Sequence, residues 1–288
     1  ALCVLPALLA LLRRDRPAPG PLPRAALPGL LVALAASVLA PIDARADAAG
    51  DALARRVHER PANEGRVGVM HFRLVNRSGK VRERVALMAH GEREAITRVA
   101  IFFTSPAVIR DTAFLSYDRR EGEDEHWLYL PATERVRRLP SSERGDAFMG
   151  TDLTYGDIKD DFRFGLEDWR FEHGGTAPSG LEVLRGRAVS PQVARELGYS
   201  AFEAHVDPET LFPRHVRFDD VDGDLLKEVE VHTVESVGGA WTALAFTVHQ
   251  RQREHRTEVR FEDMRHVPEL APVVFAPDRL ALGVPRIP

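Results

Sequence analysis

The strongest constraint on this chain is a two-residue period in hydrophobicity that resumes many times after Pro61. Successive side chains of a strand point to opposite faces, so this period predicts pleated strands rather than helices. Met70, Phe72 and Leu74 alternate with Val69, His71 and Arg73; Val81, Val85 and Leu87 carry the next strand. The pattern predicts further strands over 96–104, 113–117, 126–130, 136–139, 169–172, 181–188, 201–206, 215–218, 226–234, 241–248 and 257–261. Turn residues separate most of them: Asn76-Arg77-Ser78-Gly79, the charged stretch 118–125, Asp222-Gly223-Asp224 and Gly238-Gly239. Before them, 47–59 reads as a short helix, with Ala48, Ala52 and Val57 near one face and acids at its start. No linker and no internal repeat interrupts 47–288, which reads as one antiparallel β domain.

Several strands are apolar on both parities. In 96–104, Val99, Ile101 and Phe103 share one face while Ala100 and Phe102 share the other. In 126–130 the two sets are Trp127 with Tyr129, and Leu128 with Leu130. A sheet with one wet face alternates cleanly. These strands must therefore be covered on both sides, by helices, by a second sheet or by a ligand.

Composition excludes several classes. With 288 residues, 44% of them hydrophobic, a sizeable core is available. A net charge of -4 gives no basic excess, so no nucleic-acid partner is expected. The one cysteine, Cys3, rules out an internal disulfide and a thiolate metal cage. Of the 39 basic residues only Lys80, Lys159 and Lys227 are lysine.

Residues 1–46 are different material, expected to be a leader. Arg13, Arg14, Arg16 and Arg24 precede an apolar run over 25–42, and Ala44-Arg45-Ala46 closes it. Basic residues, an apolar stretch and an A-x-A end make a secretory signal, cleaved after Ala46 or retained as an anchor. Residue 1 is Ala and more apolar residues precede the basic ones, so a fragment or an over-extended gene model is expected. The piece 4–14 resembles the end of the last membrane helix of resistance-nodulation-division exporters. With Arg13–Arg24 held in the cytoplasm, 25–42 then crosses outward.

A search for catalytic chemistry finds no constellation. The histidines form no H-E-x-x-H or H-x-H pair, and Ser141 and Ser142 lack a nucleophile-elbow context. The stretch 218–224 departs from a calcium loop at Leu225 and Val231, where Gly and Glu belong, and reads as a hairpin turn. No enzyme activity, cofactor or metal is expected. Arg135, Arg137 and Arg138 make a basic strand edge. The long connection 140–155 carries Phe148, Met149 and Tyr155 among small and polar residues. They fit either a plug over an apolar cavity or a pin that seats the loop.

Phe102-Phe103-Thr104-Ser105-Pro106 followed by Arg110-Asp111-Thr112-Ala113-Phe114-Leu115 resembles the outer-membrane lipoprotein-sorting protein family, periplasmic proteins similar to the lipoprotein carrier LolA. Trp127-Leu128-Tyr129-Leu130-Pro131, Arg135-Val136-Arg137-Arg138, Ser141-Ser142-Glu143-Arg144 and the block Phe148–Tyr155 continue the match. So do Leu211-Phe212-Pro213-Arg214 and Phe275-Ala276-Pro277-Asp278-Arg279-Leu280, while Gly156-Asp157 departs from the usual acidic residue before Asp. The resemblance implies a mainly β fold: a curved antiparallel sheet forming an unclosed half-barrel, with helices over its concave face. It implies a periplasmic carrier that binds the acyl chains of a lipid or lipoprotein, and an exporter of the resistance-nodulation-division type as partner. An envelope-stress sensor that binds lipoproteins without moving them is the alternative. The residues expected to meet the ligand are Phe102, Phe114, Trp127, Tyr129, Phe148, Met149 and Tyr155, although parity allows only some of the strand aromatics to face it.

Overall fold

The computed structural model describes residues 47–62, 65–94, 96–119, 124–159 and 162–285. The leader and exporter readings of 1–46 lie outside the described residues. Among the described residues no helix is long and apolar enough to cross a membrane.

The first element is α1 (Ala48–His58). Asp47 caps it by accepting from the Gly50 N–H, and Arg55, Arg56 and His58 sit in its last turn, where cations oppose the helix dipole. Its buried face is Gly50, Leu53, Ala54 and Val57 rather than the expected Ala48, Ala52 and Val57. The difference is one of helical phase: Ala48 and Ala52 point to solvent because Leu53 offers more apolar area. Asp47 also ties α1 to the sheet, since its N–H donates to the Phe171 carbonyl at 3.1 Å and its carboxylate accepts from the His173 N–H at 3.2 Å. Gly50 packs so closely on Glu172 that a Cβ there would lie 2.6 Å from backbone.

Among the described residues thirteen strands form one sheet. They are β1 (Gly65–Val75), β2 (Val81–Arg93), β3 (Ile96–Ser105), β4 (Ala113–Arg119), β5 (Glu125–Leu130), β6 (Arg135–Leu139), β7 (Trp169–Thr176), β8 (Glu182–Ala188), β9 (Ala201–Val206), β10 (Pro213–Asp219), β11 (Leu225–Val237), β12 (Ala240–Gln250) and β13 (His255–His266). The order is β6-β5-β4-β3-β2-β1-β13-β12-β11-β10-β9-β8-β7, and every neighbouring pair is antiparallel. The chain thus starts mid-sheet and steps outward to β6. It then crosses to the opposite edge at β7 and steps back until β13 pairs with β1. Because β6 and β7 are the two ends and do not pair, the barrel is unclosed.

The connection 140–168 is therefore a crossover between the two free edges, not a hairpin loop. It carries α2 (Tyr155–Lys159) and two short 3-10 turns. A third helix, α3 (Pro191–Leu197), was not expected; Ser190 caps it, Pro191 opens it and Gly198, at φ 82°, ends it. The 218–224 stretch closes β10 onto β11 as a turn, with Asp220 Oδ1 accepting from the N–H groups of Asp222 and Asp224 at 3.0 Å each.

Each face of the sheet has its own apolar cluster. The inner one gathers Phe72, Ile101, Phe103 and Phe114 with α1 and the crossover. The outer one gathers Ala100, Phe102, Leu115 and Tyr129 with the C-terminal residues Val274, Phe275 and Leu280. The tail folds back over the outer face in two 3-10 turns (Pro272–Phe275, Pro277–Leu282), and the Tyr117 hydroxyl donates to the Phe275 carbonyl. This explains strands that are apolar on both parities: the tail covers one side, while the crossover and the short helices α1 and α2 cover the other.

Candidate functional site

Inside the curl of the sheet lies an apolar cavity of about 110 Å³. Met88 and Ile101 line it from one arm, Val216, Val229 and Phe246 from the other, and Met70 from between them. Its cover comes from the second half of the crossover, through Leu153, Ile158, Phe162 and Phe164. A dry cavity of about 150 Å³ accepts benzene, so this cavity has room for only a short apolar group.

Polar clasps hold that cover, because a buried connection must find partners for its own polar groups. Asp157 accepts from the Thr154 N–H at 2.7 Å and from the Tyr199 hydroxyl at 3.1 Å, and forms an ion pair with Lys227 of β11. Lys227 is only 2% exposed. Its ammonium lies 4.7 Å from the Tyr199 ring centre and 5.2 Å from that of Phe218, and donates to the Asp152 carbonyl at 3.3 Å. Asp152 in turn binds β13, at 2.7 Å to His255 Nδ1 and 2.6 Å to Thr257 Oγ1. Arg144 reaches Asp168 at 3.2 Å and Glu196 at 3.5 Å. Arg84 donates to the Met149 carbonyl; burial, and then the neighbouring Arg82, hold its guanidinium below its ordinary value. Among the described residues no three His, Cys, Asp or Glu side chains gather as a metal site.

None of the seven residues expected to meet a ligand lines this cavity. Phe102, Trp127 and Tyr129 are on the outer face, packed in or against the cluster of the C-terminal tail. Phe114, Phe148 and Tyr155 are on the inner face beside the cavity. Phe148, 0% exposed, has ring centres of Phe114, Tyr155 and Phe103 at 5.3, 5.5 and 5.9 Å. Phe148 and Tyr155 thus pin the first half of the crossover to the sheet, and burial raises the Tyr155 phenol above its ordinary value. Met149 is half-buried at φ 49°, turning the chain between pin and cover. The physical reason is parity. With 96–104 and 126–130 equally apolar on both faces, only the placement of the tail and the crossover decides which side is inner.

Sequence reasoning missed the aliphatic lining and the Lys227 clasp. Parity pointed to the first, since Val99 and Ile101 share a face with Phe103. The second had a signal in composition, a lysine between Leu226 and Val229 in a chain that has only two others, Lys80 and Lys159, among 39 basic residues.

Known structures share this architecture. An outer membrane lipoprotein-sorting protein domain from Vibrio parahaemolyticus is 25% identical with a TM-score of 0.74, over 81% of this chain and 98% of that one. A DUF1329 family protein from Desulfovibrio piger ATCC 29098 is 23% identical with a TM-score of 0.74, over 82% and 99%. A LolA superfamily protein from Nitrosomonas europaea is 16% identical with a TM-score of 0.60, over 80% and 98%. The resemblance to lipoprotein-sorting proteins and the half-barrel fold read from the sequence both hold. No curated protein matches the chain. A family model described as "Uncharacterized protein" matches residues 96–281.

Proposed function

The chain belongs to the family matched over residues 96–281, and on that premise we propose that it is a periplasmic carrier for the acyl chains of a lipid or lipoprotein. The observation that carries the reading is the apolar cavity inside the sheet, closed by a crossover that polar clasps hold from one side. Residues 47–288 are the single binding domain, and 1–46 are the leader that exports it. The protein acts by binding, not by catalysis.

Each methylene moved from water into the cavity contributes about 0.8 kcal/mol, so a sixteen-carbon chain gains on the order of 12 kcal/mol gross. A chain of that length requires the crossover to swing away, and part of the gain offsets the lost clasps. What remains still opposes release. Partners at the two membranes therefore load and unload the carrier, with an exporter of the resistance-nodulation-division type proposed at the inner one.

Replacing Ala243, a buried residue of the cavity wall, tests the site. Ala243→Phe fills the cavity, and should weaken binding of a fluorescent sixteen-carbon acyl probe at least tenfold. Destabilisation should stay within the 1–3 kcal/mol typical of overpacking. Undiminished affinity in the folded variant removes the cavity from the binding site.

A further inference from the structure

Three of the four methionines of the chain, Met70, Met88 and Met264, line the apolar cavity. Met70 pairs with Phe261 of β13, and Met88 with Gly68 of β1, both within regular register. Met264 reaches the cavity by a different route. Phe261 also lines the cavity, so strict alternation along β13 would turn Asp263 inward and Met264 outward. A β-bulge reverses this. The register against β1 steps from Val67–Arg265 to Val69–Glu262, which leaves Asp263 and Met264 opposite Gly68 alone. Asp263, at φ 51°, takes the left-handed turn and is exposed, while Met264 is aimed inward.

Met264 lies across Gly68. A Cβ at position 68 would be 2.8 Å from Met264 Cε and 3.2 Å from its Sδ, so the thioether occupies the place of the missing side chain. Gly68 is thereby hidden from the cavity, although it shares a rung with Met88 and Ile101, which line it. Met70 and Met88 are 3% and 6% exposed, whereas Met264 is half-buried, at the margin of the core. Other walls are stiffer. Ile101, Val216 and Val229 are β-branched, and the Phe246 ring stands edge-on to Phe162 at 5.1 Å. An unbranched thioether is the wall that moves at least cost.

We infer that Met264 is an adjustable wall of this cavity, and that with Gly68 it sets the length of hydrocarbon chain the site accepts. The inference deepens the carrier reading and rests on it. With the thioether over Gly68, the open volume is about 110 Å³, less than the roughly 150 Å³ that holds benzene. Turning the thioether toward solvent bares the β1 backbone at Gly68 and lengthens the apolar floor beside Met88 and Ile101. Each further methylene that finds apolar surface raises affinity about fourfold. Where the floor ends, the gain ends.

Displacement of a fluorescent acyl probe by straight-chain fatty acids of eight to eighteen carbons tests this, with the melting temperature read for each purified variant. In the wild type, affinity should climb with chain length and then level off. Met264→Ala removes every side-chain atom beyond Cβ and should move that plateau about two to three carbons longer. Gly68→Ala puts a methyl group where the thioether lies and should move the plateau at least one carbon shorter. Met264→Leu keeps the volume, a swap that cores tolerate, but adds a branch. It should weaken the longest acids at least threefold and leave the shortest unchanged. A plateau at the same length in folded Met264→Ala and wild type overturns the adjustable wall and leaves the carrier reading standing. A uniform loss at every length in Met264→Leu does the same, since it marks a residue that only holds the sheet. A probe that never binds the folded wild type overturns both. Met264→Leu, with its volume kept, decides the matter if either of the other variants does not fold.

Discussion

Phe148→Ala separates a pin from a ligand contact. The Phe148 ring is fully buried and touches three aromatic neighbours, Phe103, Phe114 and Tyr155. Truncating a buried Phe costs about 3–5 kcal/mol, and each well-placed aromatic pair contributes roughly 0.5–1.5 kcal/mol beyond its area. With three such pairs lost at once, the upper half of that range is expected here. In a domain of this size 1 kcal/mol moves the melting temperature by about 2–4 °C, so a fall of roughly 8–20 °C follows. Phe148 does not line the cavity, so acyl affinity of the folded fraction should change by less than about threefold, or roughly 0.7 kcal/mol. Urea unfolding followed by tryptophan fluorescence measures the first quantity, and probe titration well below the melting temperature measures the second. A stability loss under about 1 kcal/mol together with a large loss of affinity would refute the reasoning, because Phe148 would then be touching the guest and not the sheet.

Two further outcomes are expected. Lys227→Met leaves Asp157 without its buried cation and should cost about 3–5 kcal/mol in denaturant unfolding; adding Asp157→Asn should recover a large part of it, and strictly additive losses would show that the two do not act as a pair. At Asp207, burial works against the charge, but the N–H groups of Thr210 and Glu209 and the Arg214 guanidinium outweigh it and hold the carboxyl below its ordinary value. A lowered folded-state value stabilises the protein above about pH 4 and loses that contribution as pH falls through it, so Asp207→Asn should flatten the acid limb of a stability–pH curve, and an unaltered limb would count against the assignment.

The local part of this protein was legible in its residues. The strands were legible from apolar runs or a two-residue period, most of them with turn residues beside them, because pleating and turn geometry depend on near neighbours. The helix α3 was not read from the sequence, although Ser190-Pro191 and Gly198 cap it in the structure. The family blocks pointed to the unclosed half-barrel. What the residues did not carry was the choice between two equally apolar faces. Phe102 and Phe103 are adjacent and similar, yet one packs under a tail more than 170 positions later and the other against Phe148 of the crossover. The cavity belongs to the same class of fact. Its walls come from β1–β3, β7 and β10–β13, its cover from the crossover, and the Lys227–Asp157 clasp spans 70 positions. Period and propensity act over a few residues, whereas the inner face, the cavity and its clasps exist only once distant segments have packed, and only the tertiary structure could decide them.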